Sequence, residues 1–307
     1  MEHDPSRGSR VSPSEVLKEI MDAVPARCRE NMILIGSLAA GYYYRAQLDE
    51  MYVRTKDADA LLSPRLSAID TAVTVTNILM ENGWKIRQDD QWGKPGDAST
   101  PVDQLPLVRL VPPDGLDWFI ELLTVPESRQ QRGKKYVRVK TDHGHFALCS
   151  FRFFSLLSHL PQSTEYQIRI ARPEMMSLAN LLEHPEIKPD VISAGFAGET
   201  SVKRSNKDLG RVIALARLEQ WRDEDALLGW RRLWQDALED KFEEERVELR
   251  RHIGDGLRAL LESPEDLDQA HRTCTNGLLA SRPPTLDEFR ASAARLIQDT
   301  IEPLEKS

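Results

Sequence analysis

The apolar residues of this chain fall into two regimes. Up to about residue 171, short apolar runs suited to strands alternate with stretches of helical spacing, and from residue 172 onward the spacing is helical almost throughout. Residues 1–11 are polar and charged and predict a disordered N-terminus. Ser12, with Pro13 and Glu15 behind it, predicts a capped helix whose apolar face is Val16, Ile20, Met21 and Val24. Residues 31–35 predict a buried strand that ends at Gly36, and residues 38–48 a helix packed on a sheet. Residues 57–62 predict a second strand, stopped by Pro64, and Leu66, Ile69, Val73, Ile78 and Leu79 predict a helix closed by Asn82 and Gly83. A strand is expected at 84–88, then a polar loop to residue 106. Residues 107–111 and 117–123 predict a hairpin turned through Pro112, Pro113, Asp114 and Gly115. Another strand is expected at 136–140, and mixed short strands with one helix at 151–160 fill the stretch from 145 to 170. Pro173 opens a helix carrying Met175, Leu178, Leu181 and Leu182, and helices are expected at 209–221, 224–261, 264–279 and 286–304. The fold class this implies is α+β: a mixed sheet with flanking helices over residues 12–171, then a helical domain over 172–307.

Composition narrows the function classes. A chain of 307 residues with 40% hydrophobic and 29% charged residues can bury a real core. Its net charge of −8 argues against a protein that coats nucleic acid through bulk electrostatics. Cys28, Cys149 and Cys274 are odd in number and far apart, which fits neither a disulfide framework nor zinc spacing. No secretory leader and no apolar run of membrane length is visible, so a cytoplasmic protein without membrane partners is expected.

The candidate chemistry begins at Gly36 and Ser37. A strand running into Gly-Ser at a helix start offers backbone N–H groups and a dipole to a phosphate. About twenty residues on, Asp57 and Asp59 share one face of the second strand, because strand side chains alternate. Two carboxylates beginning an otherwise apolar strand repel each other and lose hydration unless a cation sits between them. Glu121, flanked by Ile120 and Leu122, is a third acid in an apolar strand, with Asp117 on the same face as its alternative.

Taken together, Gly36, Ser37, Asp57 and Asp59 resemble the signature of the nucleotidyltransferase superfamily with the polymerase-β-like palm. The nearer likeness is to minimal bacterial nucleotidyltransferases of the AbiEii type, some of them toxins of toxin–antitoxin or phage-defence systems, in which residues such as Thr55 and Lys56 precede the first Asp. The resemblance implies transfer of a nucleoside monophosphate from an NTP to an acceptor hydroxyl. It makes Asp57, Asp59 and Glu121 the catalytic and metal-holding carboxylates for two Mg²⁺, with Mn²⁺ as the alternative. Gly36, Ser37, Lys56 and Lys207 become the nucleotide-binding residues. The acceptor it suggests is RNA, tRNA in particular, with an antitoxin or other partner protein; the rivals are nucleotidylation of a protein or small molecule, and a degenerate fold used only for binding. Pro173-Glu174 and Lys207-Asp208 match further parts of the pattern, whereas Asn180 stands where a lysine is usual and Arg211 where a second acid is usual.

Other clusters have plainer readings. The basic stretch Arg129, Arg132, Lys134, Lys135, Arg138 and Lys140 is expected to be a solvated hairpin face, with a groove for RNA or a nucleotide as the alternative. His143 and His145 read as part of a turn, and Trp230 and Trp234, one helical turn apart, as core.

Overall fold

The computed structural model describes residues 10–48, 52–88, 94–113, 118–128, 130–131, 133–184, 192–194 and 201–307. They fall into two compact units, one comprising Val11–Ala39 and Thr55–Ala171, the other including Ala40–Arg54 and Arg172–Ser307.

In the first unit, short runs of buried residues, continuous at 32–35 and 119–124 and alternating only at the start of 57–62, lay down the sheet. Its elements in chain order, beginning with the short strand that leads into the unit, are β1 (Arg10–Val11), α1 (Pro13–Ala23), α2 (Ala26–Arg29), β2 (Met32–Ile35), α3 (Gly36–Tyr43), β4 (Asp57–Leu62), α4 (Arg65–Glu81) and β5 (Lys85–Ile86), while β3 (Val53–Arg54) falls in the stretch 40–54 that belongs to the other unit. They continue with a 3₁₀ turn (Val102–Gln104), β6 (Arg109–Val111), β7 (Phe119–Thr124), β8 (Lys135–Thr141), β9 (Gly144–Ser150), α5 (Phe154–Leu157), β10 (Gln162–Ser163) and β11 (Arg169–Ile170). The strand order is β10-β11-β2-β4-β7-β6-β5, with β9 joining β7 and β8 joining β9. β4 runs antiparallel to β2 and parallel to β7, so the sheet is mixed. Ala58, Ala60, Ile120 and Leu122, the positions that alternate with the carboxylates, are 0–1% exposed, and α4 packs on β4, β6 and β7. Burying one face this fully fixes the register, because a one-residue slip would carry every apolar side chain to the other face.

Several expectations are corrected here. Arg10 and Val11 form a strand where disorder is expected, and the rest of that stretch lies outside the described residues. Ser12 caps α1 as its sequence predicts, accepting from Glu15 N at 3.4 Å. The strand at 84–88 shortens to Lys85–Ile86, and the helix expected at 151–160 to Phe154–Leu157. The loop before residue 106 contains the 3₁₀ turn, which Pro101 starts. Strands β6 and β7 pair antiparallel, as the hairpin pattern predicts, although part of the connecting turn, with Asp117, lies outside the described residues.

The second unit is built on helices: α6 (Pro173–Glu183), α7 (Arg204–Arg222), α8 (Ala226–Phe242), α9 (Arg246–His252), α10 (Asp255–Glu262), α11 (Pro264–Asn276), α12 (Leu286–Leu296), a π-helical turn (Ile297–Ile301) and α13 (Glu302–Glu305). An antiparallel pair, β12 (Ile192–Ala194) and β13 (Ser201–Lys203), departs from the all-helical expectation. Helix α7 is central and packs on α6, α8, α11 and α12. Gly210 lets it approach α11 closely: a Cβ there would stand 3.0 Å from both Ala270 O and Cys274 Sγ. The single helix expected at 224–261 is broken into α8, α9 and α10. Gly254 sits at the second break, where its N–H donates to Glu305 Oε1 at 3.2 Å and a side chain would run into Arg258. Trp230 and Trp234 are core, 1% and 0% exposed, and the indole of Trp234 donates to Glu174 O at 2.9 Å.

Candidate active site

The face of the sheet opposite the apolar one carries the candidate chemistry, and strand register decides which side chains meet. Ile35 pairs with Asp59 across β2 and β4, so the chain leaves β2 at Gly36 directly beside that aspartate. Gly36 has φ +75°, and a Cβ on it would stand 2.9 Å from Asp59 Oδ2. Both facts demand glycine: the left-handed backbone is costly for any other residue, and the space for a side chain is taken by a carboxylate. Helix α3 starts at this residue, so Asp59 lies at the positive end of its dipole, a favourable place for negative charge. Ser37, half-buried, lies in the first turn of α3.

Across the next pairing, Asp59 lies opposite Glu121 and Asp57 opposite Phe119. Asp57, Asp59 and Glu121 therefore project from one side of two adjacent strands. Asp57 and Asp59 are half-buried, and Glu121 is 8% exposed. The Thr55 hydroxyl, on a residue 5% exposed, donates to Asp57 Oδ1 at 2.7 Å and so fixes that carboxylate's orientation. Lys56 is half-buried and serves the sheet through its backbone, its carbonyl accepting from Phe119 N at 3.0 Å.

Glu121 has a partner that the sequence pattern did not single out. Arg109 is paired with it in register across β6 and β7, and Arg109 Nε donates to Glu121 Oε2 at 2.7 Å. This ion pair explains how a carboxylate is retained in an apolar strand without a metal. The sequence pattern alone points elsewhere: counting back through the expected hairpin puts Leu107 opposite Glu121, and the observed register is shifted by two residues, which brings Arg109 there. Beyond it, Arg87 N donates to Arg109 O at 2.9 Å, and the Arg87 guanidinium lies 4.0 Å from the centroid of the Phe119 ring, a cation–π contact.

Asp57 and Asp59 offer hard oxygen donors suited to Mg²⁺, an ion commonly held by one or two carboxylates with water and substrate phosphates completing its shell. Among the described residues no group of three or more His, Cys, Asp or Glu side chains is gathered closely enough to hold a metal. The donor set thus fits a two-carboxylate site, with Glu121 bound to Arg109 instead. Lys207, in the first turn of α7, is half-buried and belongs to the helical unit. Glu174 is 3% exposed and paired with Arg172 at 2.9 Å, while Asn180 and Arg211 are half-buried helix residues.

Of the basic stretch, Arg129 and Arg132 lie outside the described residues. Arg138 is engaged by the Asp97 carbonyl at 2.9 Å and by His145 Nδ1 at 3.1 Å. His143 and His145 belong to the β8–β9 hairpin, whose turn needs Gly144 at φ +118°. The three cysteines are buried, and none of them is in a disulfide. Among the described residues no helix is long and apolar enough to cross a membrane. Set against known proteins, the chain matches no family model, and no curated protein and no solved structure is significantly similar to it.

Proposed function

We propose that this chain is a metal-dependent nucleotidyltransferase, moving a nucleoside monophosphate from an NTP to an acceptor hydroxyl. The observation that carries the reading is the alignment of Gly36, Asp59 and Glu121 across three neighbouring strands, with Asp57 on the same face as Asp59. Asp57 and Asp59 would hold Mg²⁺ or Mn²⁺, which when bound neutralises triphosphate charge and acidifies the acceptor hydroxyl. Ser37 and the start of α3 would face a phosphate of the NTP, and Lys56 is the cation of the sheet unit assigned to the nucleotide. The acceptor oxygen forms a bond to the α-phosphorus and the bond to the bridging oxygen breaks, releasing pyrophosphate. The hydroxyl proton passes to a carboxylate of the set, for which Glu121, in register with Asp59, is the candidate. Most of the work is placement of charge.

A second reading has its own observation. The Arg109–Glu121 ion pair takes up the third carboxylate, which favours a nucleotidyltransferase fold that binds nucleotide without turning it over.

The test incubates the protein with Mg²⁺, each labelled NTP in turn, total tRNA and cell lysate, beside an Asp57→Asn/Asp59→Asn variant. Label transfer to RNA, protein or a small molecule that disappears in the variant is the expected result and identifies the acceptor. Transfer that survives the double substitution overturns the reading; NTP binding with no transfer to any acceptor moves the protein to the binding-only class.

A further inference from the structure

Next to Glu121 the sheet unit contains a cavity of ≈ 150 Å³. Its charged lining is three cations, Arg87, Arg109 and Lys134, against one carboxylate, Asp103; Tyr136 and two leucines supply the rest. Each cation is held in place by neighbouring groups, and the two guanidinium groups share the Phe119 ring. Arg109 is anchored through Nε to Glu121 at 2.7 Å, Arg87 lies 4.0 Å from the Phe119 ring centroid, and Lys134 Nζ lies 4.8 Å from the Tyr136 ring centroid. Arg87, the residue just past the end of β5, also lies beside Arg109 of β6, its backbone N–H donating to the Arg109 carbonyl at 2.9 Å. Neighbouring like charges across a strand pair are unfavourable, and here a third cation converges on the same space. An anion in the cavity would relieve that repulsion, and the side chains that would meet it are already oriented, so little ordering cost remains.

We propose that this cavity binds a phosphate group of the acceptor, an assignment that rests on the nucleotidyltransferase reading. Guanidinium pairs match the geometry of a phosphate and Lys adds a point charge. The volume decides how much of the ligand enters. Pockets that enclose a whole drug-sized molecule measure about 300–1,000 Å³, so this one admits a phosphate and little more, and the rest of the acceptor lies outside, where the Tyr136 ring offers a face to a sugar or base. The position fits an acceptor. Across the sheet the order is Gly36 beyond β2, then Asp57 and Asp59 on β4, Glu121 on β7 and Arg109 on β6. The NTP is assigned to the Gly36 end, and the cavity lies on the other side of the carboxylates, roughly 10 Å from Asp59 at two strand spacings. The same chemistry is presented by a phosphodiester in single-stranded RNA and by the phosphomonoester of a sugar phosphate.

The test measures binding in EDTA without NTP, which separates it from catalysis. A short single-stranded RNA, a sugar phosphate and inorganic phosphate are titrated into the wild-type protein, an Arg87→Ala/Lys134→Ala variant and an Asp57→Asn/Asp59→Asn variant, with circular dichroism confirming that each is folded. At least one phosphate-bearing probe is expected to bind the wild type and the carboxylate variant, and to bind the Arg87→Ala/Lys134→Ala variant at least tenfold more weakly. If the ligand is RNA, the salt dependence of its binding should flatten by about 1.4 logarithmic units per decade of salt, at about 0.7 per cation removed. Tighter binding of the sugar phosphate than of RNA would support the same cavity with a small acceptor. Equal binding by the wild type and the cation variant, or no binding of any probe, overturns the proposal. If binding behaves as expected but no label transfer is found with any acceptor, the catalytic reading fails and the phosphate site stands. If transfer occurs with unchanged acceptor KM in the cation variant, the acceptor assignment fails and the catalytic reading stands.

Discussion

Gly36 lies against the carboxylate of Asp59, with room for a hydrogen and no room for a methyl group. Gly36→Ala places a Cβ in a left-handed backbone and pushes on Asp59 Oδ2. The variant is expected to lose about 1–3 kcal/mol of stability in urea denaturation, the usual cost of a sparsely populated backbone conformation. If Asp59 has the role proposed above, label transfer should fall by a larger factor than the loss of folded protein accounts for. Unchanged stability and unchanged transfer would contradict the close approach.

Arg109 and Glu121 form a largely buried pair, with side chains 29% and 11% exposed. Removing one partner leaves the other charge poorly solvated. Because Arg109 retains some exposure, Arg109→Ala should cost about 1–3 kcal/mol, below the range for a fully buried pair. Combining it with Glu121→Gln should recover part of that loss, and a double-mutant cycle by chemical denaturation measures the coupling. Strict additivity of the two single substitutions would show that the pair contributes nothing.

In the helical unit the Tyr44 hydroxyl donates to Glu219 Oε2 at 2.5 Å, and the two residues are 0% and 1% exposed. Arg222 is the other partner of that carboxylate. Burial, and then the nearby Glu219 charge, raise the Tyr44 pKa well above its ordinary value. Tyr44→Phe keeps the ring and removes the donor, and a loss of about 1–3 kcal/mol in thermal or urea unfolding is expected. An unchanged midpoint would mean that Arg222 alone satisfies Glu219.

Asp97 is held at a pKa of about 2 by hydrogen bonds from the side chain and backbone of Ser99, and then from those of Thr100. A carboxylate whose folded pKa lies below its unfolded value stabilises the fold above the unfolded value. That contribution is lost as pH falls through the folded one. The window here runs from the ordinary 3.8 down to about 2. Carboxyl carbon NMR should show Asp97 titrating near the lower end, and Ser99→Ala should move the midpoint upward. A wild-type midpoint at the ordinary value would refute the hydrogen-bonded turn.

Where the sequence pattern spoke clearly, it spoke through burial. Residues 57–62 read as a strand because Ala58, Ala60 and Leu62 had to be buried together, and that same alternation put Asp57 and Asp59 on one face. The 107–111 and 117–123 runs read as a hairpin for the same reason. Ion pairing was less legible, since a lone glutamate in an apolar run signals a cation nearby but not whether that cation is a metal or an arginine across the strand. Helix breaks were harder still. Residues 224–261 keep helical spacing through Gly254, and what ends α9 there is the approach of Arg258 and Glu305, the latter from the far end of the chain. The β12–β13 pair is held by cross-strand hydrogen bonds and has no strong apolar alternation to announce it.

Tyr44 belongs to the helical unit although it lies between two strands of the sheet unit in the sequence. The chain enters and leaves the helical unit twice, so the two units are interleaved in the gene and cannot be separated by one cut. A fragment starting at Arg172 would keep Glu219 and Arg222 but lose the hydroxyl that completes their cluster. Any shuffling, fusion or truncation that respects the architecture has to carry residues 40–54 along with the C-terminal helices.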